Sequence, residues 1–482
     1  MAHQQTNTRE IVLDALVEIT EEGRYSHLVL RDVLDKYDYL DRQERAFIMK
    51  VTEGTVERLI TIDYTVNCFS KVRTERMKPV IRAILRSAVF QMMYLDNVPV
   101  SAVVNEAVKL AVKRGFGGLR GFVNGVLRSI DRGRALLSWP DRETDTVSYL
   151  SVVYSLPPWI AGQWLKRFGL DVTEKMASSF FGGRDTYIRI NTSRTEAESY
   201  CRVLEKAGIS VSVSRFMPNA VSVSGYDSIR AIPGYKEGLF QVQDISSMIV
   251  GEAAVIRPDS RCLDVCASPG GKTVHLADRI LSCAARKTEK EMTPGVVVSC
   301  DISEYKLGLI RDNVSRCRFR NVETVSADAR VHRKEWENSF DIVVADLPCS
   351  GLGVLGRKSD LKYRMTPEKT EELSLLQAEI LKNVRTYVKP GGMLLFSTCT
   401  ISESENEKNA EMLAGYDDME RVDPGTLVPE MVRQAFSLLP SAVGMTSRGY
   451  VQLLPGILPC DGFFLACFRK TAISGDANVK GS

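Results

Sequence analysis

Two strings in the second half of the chain carry residue types that could do covalent chemistry. FDIVVADLPCSG, Phe340 to Gly351, runs an apolar segment, Ile342 to Ala345, into Asp346, Pro348 and Cys349; MLLFSTCT, Met393 to Thr400, runs another into Cys399. Each reads as a buried parallel strand ending in a turn. In open α/β sheets, ligands bind beyond the carboxyl ends of the strands. The plain alternative for the first string is a core strand that meets an Asx-type turn, because Asp and Pro are ordinary turn residues. The two strands follow one another in an alternating strand and helix pattern and are expected to be neighbours, so that Cys349 and Cys399 face one crevice. No CxxC pair occurs, and Cys262 and Cys266 lack a matching second pair, so no metal site is predicted. Nucleophilic catalysis by a thiol fits the pair better than a disulfide or a metal does.

The elements that must position these residues lie between 255 and 470, where strand and helix alternate in the manner of a doubly wound, Rossmann-like sheet. CLDVCASPGGKT, Cys262 to Thr273, reads as a strand, a glycine turn and a helix start, which lets a ligand approach the backbone and offers it free N–H groups. It is not a phosphate loop, because GxxxxGK[ST] needs glycine where Cys266 stands, and GxGxxG spacing is absent too. GVVVSCD ends at Asp301 and VETVSAD at Asp328. One acid at a strand end is an ordinary turn or cap residue. Two in series after a glycine turn suit a nucleoside, with Asp301 accepting from the ribose hydroxyls and Asp328 from an adenine amine. The loop GLGVLGRKSDLKYR holds Arg357, Lys358, Lys362 and Arg364 and is expected to grip nucleic-acid phosphates over the site. Ser402 to Glu407 reads as a helix start with acids in its first turn. Ser282 to Gly295 reads as a mobile surface insertion, and the tail from Ala472 as disordered.

Upstream, Thr8 to about Arg134 repeats apolar residues at three and four spacing and predicts five to seven helices. Residues 1–70 hold 8 Lys and Arg against 13 Asp and Glu, whereas 71–134 hold 13 against 4, in a chain of net charge +3. Such a basic block suits a polyphosphate partner, although a solvated helical face is the better account of a charge cluster taken alone. Thr186 to Ala254 reads as a small α+β unit: strands TYIRIN, ISVSVS, AVSVSG and GLFQVQD around the helix TEAESYCRVLEKAG. At 482 residues the chain exceeds one core, and its 44% apolar and 26% charged content excludes a disordered protein. No spanning apolar run and no signal-peptide core are seen, so a cytoplasmic location with free thiols and no membrane partner is expected.

A nucleoside site beside two thiols and an acid is what methylation at C5 of a pyrimidine requires, because that carbon is too weak a nucleophile to attack S-adenosylmethionine unaided. A thiolate added at C6 makes C5 enamine-like; after methyl transfer the C5 proton leaves and the thiol is eliminated. Asp346 can accept from the cytosine N4 amine and from a protonated N3. The base must leave its stack, which suits single-stranded or loop RNA. This chemistry does not order the cysteines, and the proline-cysteine pair that carries the nucleophile in DNA cytosine-C5 methyltransferases points to Cys349.

CASPGGKT, DIS, SADAR, DLPCSGLGVLGRKSDLKY, STCTISESEN and DGFFLA are similar, in that order, to the motifs of the cytosine-C5 RNA methyltransferase family that includes NOL1, NOP2 and the Sun proteins. IRAILRSAVFQMMYLDNVPVSAVVNEAV and FVNGVLRSI resemble the NusB family of helical RNA-binding domains, and YIRIN and FQVQDISS resemble the ferredoxin-like domain that precedes the catalytic domain in such methyltransferases. The resemblance spans about residues 8–470. It implies a multidomain chain: an all-α NusB-like domain over 1–140, linker helices and an α+β ferredoxin-like domain over 155–250, an α/β Rossmann-like class I S-adenosylmethionine methyltransferase domain over 251–471, and a disordered tail over 472–482. It also implies that Cys399 is the nucleophile, that Cys349 assists adduct release, that Asp346 contacts cytosine and that Lys272 lies close to the reacting base. The implied S-adenosylmethionine contacts are Cys266, Ala267, Ser268, Pro269, Gly270, Gly271, Lys272, Asp301, Asp328 and Asp346. The implied partner is RNA, in the first place small-subunit (16S) rRNA. A tRNA target and a non-catalytic RNA-binding assembly factor are the alternatives; the intact cysteines and acids argue against the latter. Ser268 and Thr400 depart from the family's usual wording, but both are small and no loss of activity is expected from them.

Overall fold

The computed structural model describes residues 7–183, 185–286, 293–444 and 446–471. Positions 287–292 of the charged insertion and the tail from 472 lie outside the described residues; Ser282 to Ala285, at the start of that insertion, belong to the helix Gly271–Ala285. The chain forms two compact units, one of residues 1–181 with 355–364, the other of 182–354 with 365–482.

The first unit is helical. Seven α-helices lie between Thr8 and Gly133 among the described residues, and they close over one apolar core. Its axis is the helix Pro79–Tyr94, which opens on a proline whose missing N–H costs nothing in the first turn. That helix buries residues on nearly every side from Ile81 to Met92, as a helix surrounded by others must. Close neighbours are needed: a Cβ on Gly54 would stand 2.1 Å from the Phe90 ring. Part of the basic block is spent within the unit, since Arg86 pairs with Asp63 at 2.6 Å, Arg82 with Glu21, and Arg114 with Asp14 at 2.5 Å. Lys71, Arg76, Lys78 and Arg120 remain on the surface.

Three further helices, Thr146–Val153, Pro158–Phe168 and Leu170–Ser179, belong to this unit and not to the α+β module that follows them. Thr61 Oγ1 donates to Val152 O at 2.6 Å, and Ile60 N to Ser155 Oγ at 2.9 Å.

Residues 355–364 correct the expectation of a phosphate-gripping loop. Asp360 is buried and accepts from Ser26 N (3.2 Å), Ser26 Oγ (2.6 Å) and Arg364 Nε (2.8 Å). Arg364 also donates to Gly23 O at 2.6 Å, and Tyr363 Oη lies 3.0 Å from Ser155 Oγ. Lys362 is buried, donating to Glu57 O at 2.7 Å. Two of the four basic residues are thus committed inside the helical unit, because an aromatic and an acid beside them seat the segment as core and not as surface.

Burial pushes the Lys362 ammonium down to about 7 from its ordinary 10.5. Below pH 7 the lysine is charged in both folded and unfolded chains and its burial cost is fully present; the cost fades as pH rises toward 10.5. Replacing Lys362 by Met is therefore expected to raise the melting temperature of the helical unit at pH 7, with the advantage over the native protein shrinking steadily toward pH 9.5 in paired calorimetric scans.

The second unit contains two sheets. Strands β1 (Thr186–Ile190), β2 (Ser210–Val213), β3 (Ala220–Ser224) and β4 (Phe240–Val242) form an antiparallel sheet in the order β2-β3-β1-β4, covered by the helix Ala197–Lys206. The other sheet comprises β5 (Cys262–Asp264), β6 (Val297–Asp301), β7 (Val322–Ser326), β8 (Phe340–Asp346), β9 (Val388–Thr398), β10 (Met419–Val422), β11 (Tyr450–Leu453) and β12 (Phe463–Lys470). Its order is β10-β12-β9-β8-β5-β6-β7, with β11 on β12; β5 to β9 pair in parallel and β12 runs antiparallel to β9. The sheets are joined by a buried ion pair. Arg189 of β1 meets Asp278 at 3.3 Å, and Asp278 also accepts from Thr192 N and Ser193 N, each at 2.9 Å. Among the described residues, no helix is long and apolar enough to cross a membrane.

Candidate active site

The site lies beyond the carboxyl ends of β5 to β9. β8 and β9 pair with Asp346 opposite Ser397, and the chain then delivers Cys349 and Cys399 to the same side of the sheet. Their Sγ atoms stand 3.4 Å apart. A cavity of about 450 Å³ opens against both sulfurs and is lined by Cys266, Ser268, Asp301, Asp328 and Asp346 as well.

Of the remaining residues expected at the site, Ala267, Pro269, Gly270, Gly271 and Lys272 do not line this cavity. Ala267 turns inward against Leu307 and Ile310. Gly270, at φ +102°, adopts a backbone conformation that favours glycine and lets the chain turn into the helix Gly271–Ala285. Lys272 reaches the site by another route: its Nζ donates to Asp346 at 2.6 Å and to Ser247 Oγ at 2.9 Å. The second Asp346 oxygen accepts from Ser397 Oγ at 2.7 Å, so the carboxylate is fixed from both sides.

Asp301 accepts from Ile302 N at 2.9 Å and has Lys306 at 3.4 Å, and Asp328 is clasped by Arg330 through Nη2 at 2.6 Å and backbone N at 2.9 Å. The arginine holds the Asp328 carboxyl below the usual carboxylate range. Ile302, Lys306, Leu376 and Ile380 also face the cavity. Carboxylates at one side and apolar side chains at the other fit a ribose and a base, so the lining suits a nucleoside cofactor.

One carboxylate escapes the sequence reading. Asp264 ends β5 one turn before the glycine loop; it is fully buried and accepts from Thr273 Oγ1 at 2.7 Å, while its Oδ1 has no partner among the described residues. Burial pushes it up to about 7. Its signal was the one used for Asp301, an acid closing a parallel strand.

The two thiols are not equivalent. The hydrogen bond to Cys399, burial, and the negative charges of Cys399 and Glu405 push the Cys349 thiol well above its ordinary value of 9.0. A thiol raised in this way stays protonated at neutral pH, which makes it a slow nucleophile.

Comparison with known proteins accounts for this arrangement. The family described as "16S rRNA methyltransferase RsmB/F" matches residues 254–469, "NusB family" matches 6–132, and "Methyltr_RsmF/B-like, ferredoxin-like domain" matches 156–229. "Probable ribosomal RNA small subunit methyltransferase B" of Bacillus subtilis is 31% identical over 470 residues, covering 97% of this chain and 99% of that protein. This chain belongs to the RsmB/F methyltransferase family. It is an S-adenosylmethionine-dependent RNA methyltransferase with a NusB-like helical domain, a ferredoxin-like domain and a Rossmann-like methyltransferase domain. "Ribosomal RNA small subunit methyltransferase B" of Proteus mirabilis is 26% identical, covering 83% of this chain and 90% of that protein. Among solved structures, NSun6 from Pyrococcus horikoshii with SFG shares the fold, with a TM-score of 0.53 at 19% identity over 65% of this chain and 97% of that one. PH0851 shares it over 96% of this chain and 99% of that one, with a TM-score of 0.75 at 24% identity.

The inequality of the thiols gives a direct test. Brief treatment with iodoacetamide at pH 7.5, followed by peptide mass spectrometry, is expected to label Cys399 before Cys349; labelling of Cys349 first would reverse the order argued from the hydrogen bond.

Proposed function

We propose that this methyltransferase acts on C5 of a cytosine in small-subunit (16S) rRNA through a covalent bond between Cys399 and C6. The observation that carries the reading is the 3.4 Å pair of sulfurs that lines one cavity together with Asp346, Asp301 and Asp328. A single thiol would serve for attack, and a second, protonated one at contact distance suits a separate step at the same base.

Cys399 adds to C6 of the flipped base, and the electron density gathered on the ring makes C5 nucleophilic. Asp346 accepts from the N4 amine and from N3 once that nitrogen is protonated, which selects cytosine over uracil and stabilises the adduct. Lys272 and Ser397 keep that carboxylate aimed. The residues that would hold S-adenosylmethionine are Asp301 and Asp328, as acceptors for its ribose and adenine, with Cys266 and Ser268 in the same lining; bound there, it would supply the electrophilic methyl group. After transfer, the C5 proton leaves to solvent water, its bonding pair restores the C5–C6 double bond, and the C6–S bond breaks to release Cys399 as a thiolate, which the protonated Cys349 thiol assists by donating to it across the 3.4 Å contact. The ribosomal substrate rests on the names of the relatives, all small-subunit rRNA methyltransferases, and on the NusB-like domain.

Cys399→Ser is expected to lower methyl transfer by at least about 10³-fold, the scale of losing a covalent nucleophile. Cys349→Ala is expected to leave RNA attached to the protein on a denaturing gel; an adduct formed by Cys399→Ala and not by Cys349→Ala would exchange the two roles. Bisulfite sequencing of RNA from cells lacking the gene should lose one 5-methylcytosine in 16S rRNA, and an unchanged rRNA pattern with a lost tRNA site would move the substrate.

A further inference from the structure

Of the acids in Ser402 to Glu407, only Glu407 lies in the first turn of the expected helix. The helix begins at Glu407, and the two residues before it, Glu405 and Asn406, are entirely buried. Each reaches the backbone or side chain next to a different cysteine. The Glu405 carboxylate accepts from Ser350 N at 2.8 Å and from Ser350 Oγ at 2.5 Å, immediately after Cys349. Asn406 straddles Cys399: its Oδ1 accepts from Thr398 Oγ1 at 2.6 Å, and its Nδ2 donates to Thr400 O at 3.1 Å.

Other buried groups complete the two holds. Gln377 Nε2 donates to Pro348 O at 2.9 Å and lies 3.3 Å from Glu405 Oε1, so Cys349 is braced from its other side as well. Gln452 accepts from Asn406 at 2.8 Å and donates to Thr400 O at 3.2 Å. Ser350 Oγ and Thr400 Oγ1, each one residue beyond a cysteine, stand 2.7 Å apart and tie the two holds together. A buried carboxylate with no cation among these contacts is costly unless its bonds are needed in this geometry.

We propose that Glu405 and Asn406 are positioning residues for the two half-reactions: Asn406 aims Cys399 for attack at C6, and Glu405 holds Cys349 for release of the adduct. This rests on the two-cysteine reading of the site. Neither side chain touches the base; each acts through the residues that flank a sulfur. Glu405 also acts by charge, since its carboxylate favours the protonated form of Cys349.

The test uses the full-length enzyme, S-adenosylmethionine and two versions of a 16S rRNA transcript. With 5-fluorocytidine at the target, C5 carries no proton to lose once it is methylated, so the adduct is trapped and its rate of appearance reports attack and methyl transfer without release. With ordinary cytidine, the fraction of enzyme held as adduct during turnover reports release. Asn406→Ala is expected to slow adduct appearance about tenfold or more without raising the steady-state adduct fraction. Glu405→Gln is expected to leave adduct appearance within about threefold, to raise the adduct fraction on ordinary RNA, and to move the pH dependence of adduct decay to lower pH, because a negative charge beside Cys349 is gone.

Thr398→Val and Ser350→Ala each remove one of these bonds from the cysteine side, and should reproduce the slowed adduct appearance and, with no shift in the pH profile, the raised adduct fraction respectively if either buried substitution fails to fold. Equal slowing of both steps by both variants, or a decay profile unmoved in Glu405→Gln, would overturn the division of labour. Failure of the native enzyme to form any adduct with the fluorinated RNA would instead sink the covalent reading beneath it.

Discussion

Parallel pairing of β8 with β9 is the constraint on which the site depends. Parallel neighbours end on the same edge of a sheet, whereas an antiparallel pair would send the two cysteines to opposite edges. The register is set at the far end, where Phe340 faces Val388 but Ile342 faces Met393, so β9 spends three residues more than β8 over that interval. The bulge falls on Lys389-Pro390-Gly391-Gly392, and only glycine fits at 392, since a Cβ there would come within 2.8 Å of Asp341 O. Side chains alternate with period two, so a slip of one residue would turn Ser397 away from Asp346 and carry Cys399 to the wrong face. A structural irregularity one strand-length away thus fixes the separation of two sulfurs.

Around that edge, charge is arranged so that few groups are left to compete. Lys272 answers Asp346, Arg330 answers Asp328 and Lys306 approaches Asp301. Asp264 has no cation at contact and is pushed toward neutrality instead. Glu405 is satisfied by neutral donors alone and is likewise pushed up by burial. The acids facing the cavity are those with a cationic partner; the acids without one are buried behind it.

The parts of this site that could be read from the chain were those with a one-dimensional signature. Bounded apolar runs that end in Asp or Cys announce parallel strands, and strand order alone brings Cys349 and Cys399 together, as the 3.4 Å contact bears out. Polar residues that pack inward carry no such signature. SESEN looks like the acidic first turn of a helix, yet Glu405 and Asn406 are buried because partners arrive from other segments, Ser350 and Gln377 for the first and Gln452 for the second. The same holds for Lys362 and Arg364, whose charges suggested phosphate contacts and whose partners, Glu57 O and Asp360, belong to the helical unit. The order of the cysteines was carried by the family's STCT wording alone, because two thiols at contact distance are geometrically interchangeable.

The ten residues Leu355–Arg364 leave the catalytic unit just after the Cys349 turn and return to it at Met365, having been built into the core of the other unit. The chain therefore crosses between units three times, and neither unit is a contiguous cassette. A catalytic fragment cut at Gly182 would carry a buried lysine, a tyrosine and an aspartate–arginine pair stripped of the helices that satisfy them, on a loop tethered a few residues from a reactive thiol. The two units therefore cannot be separated by any single cut in the chain.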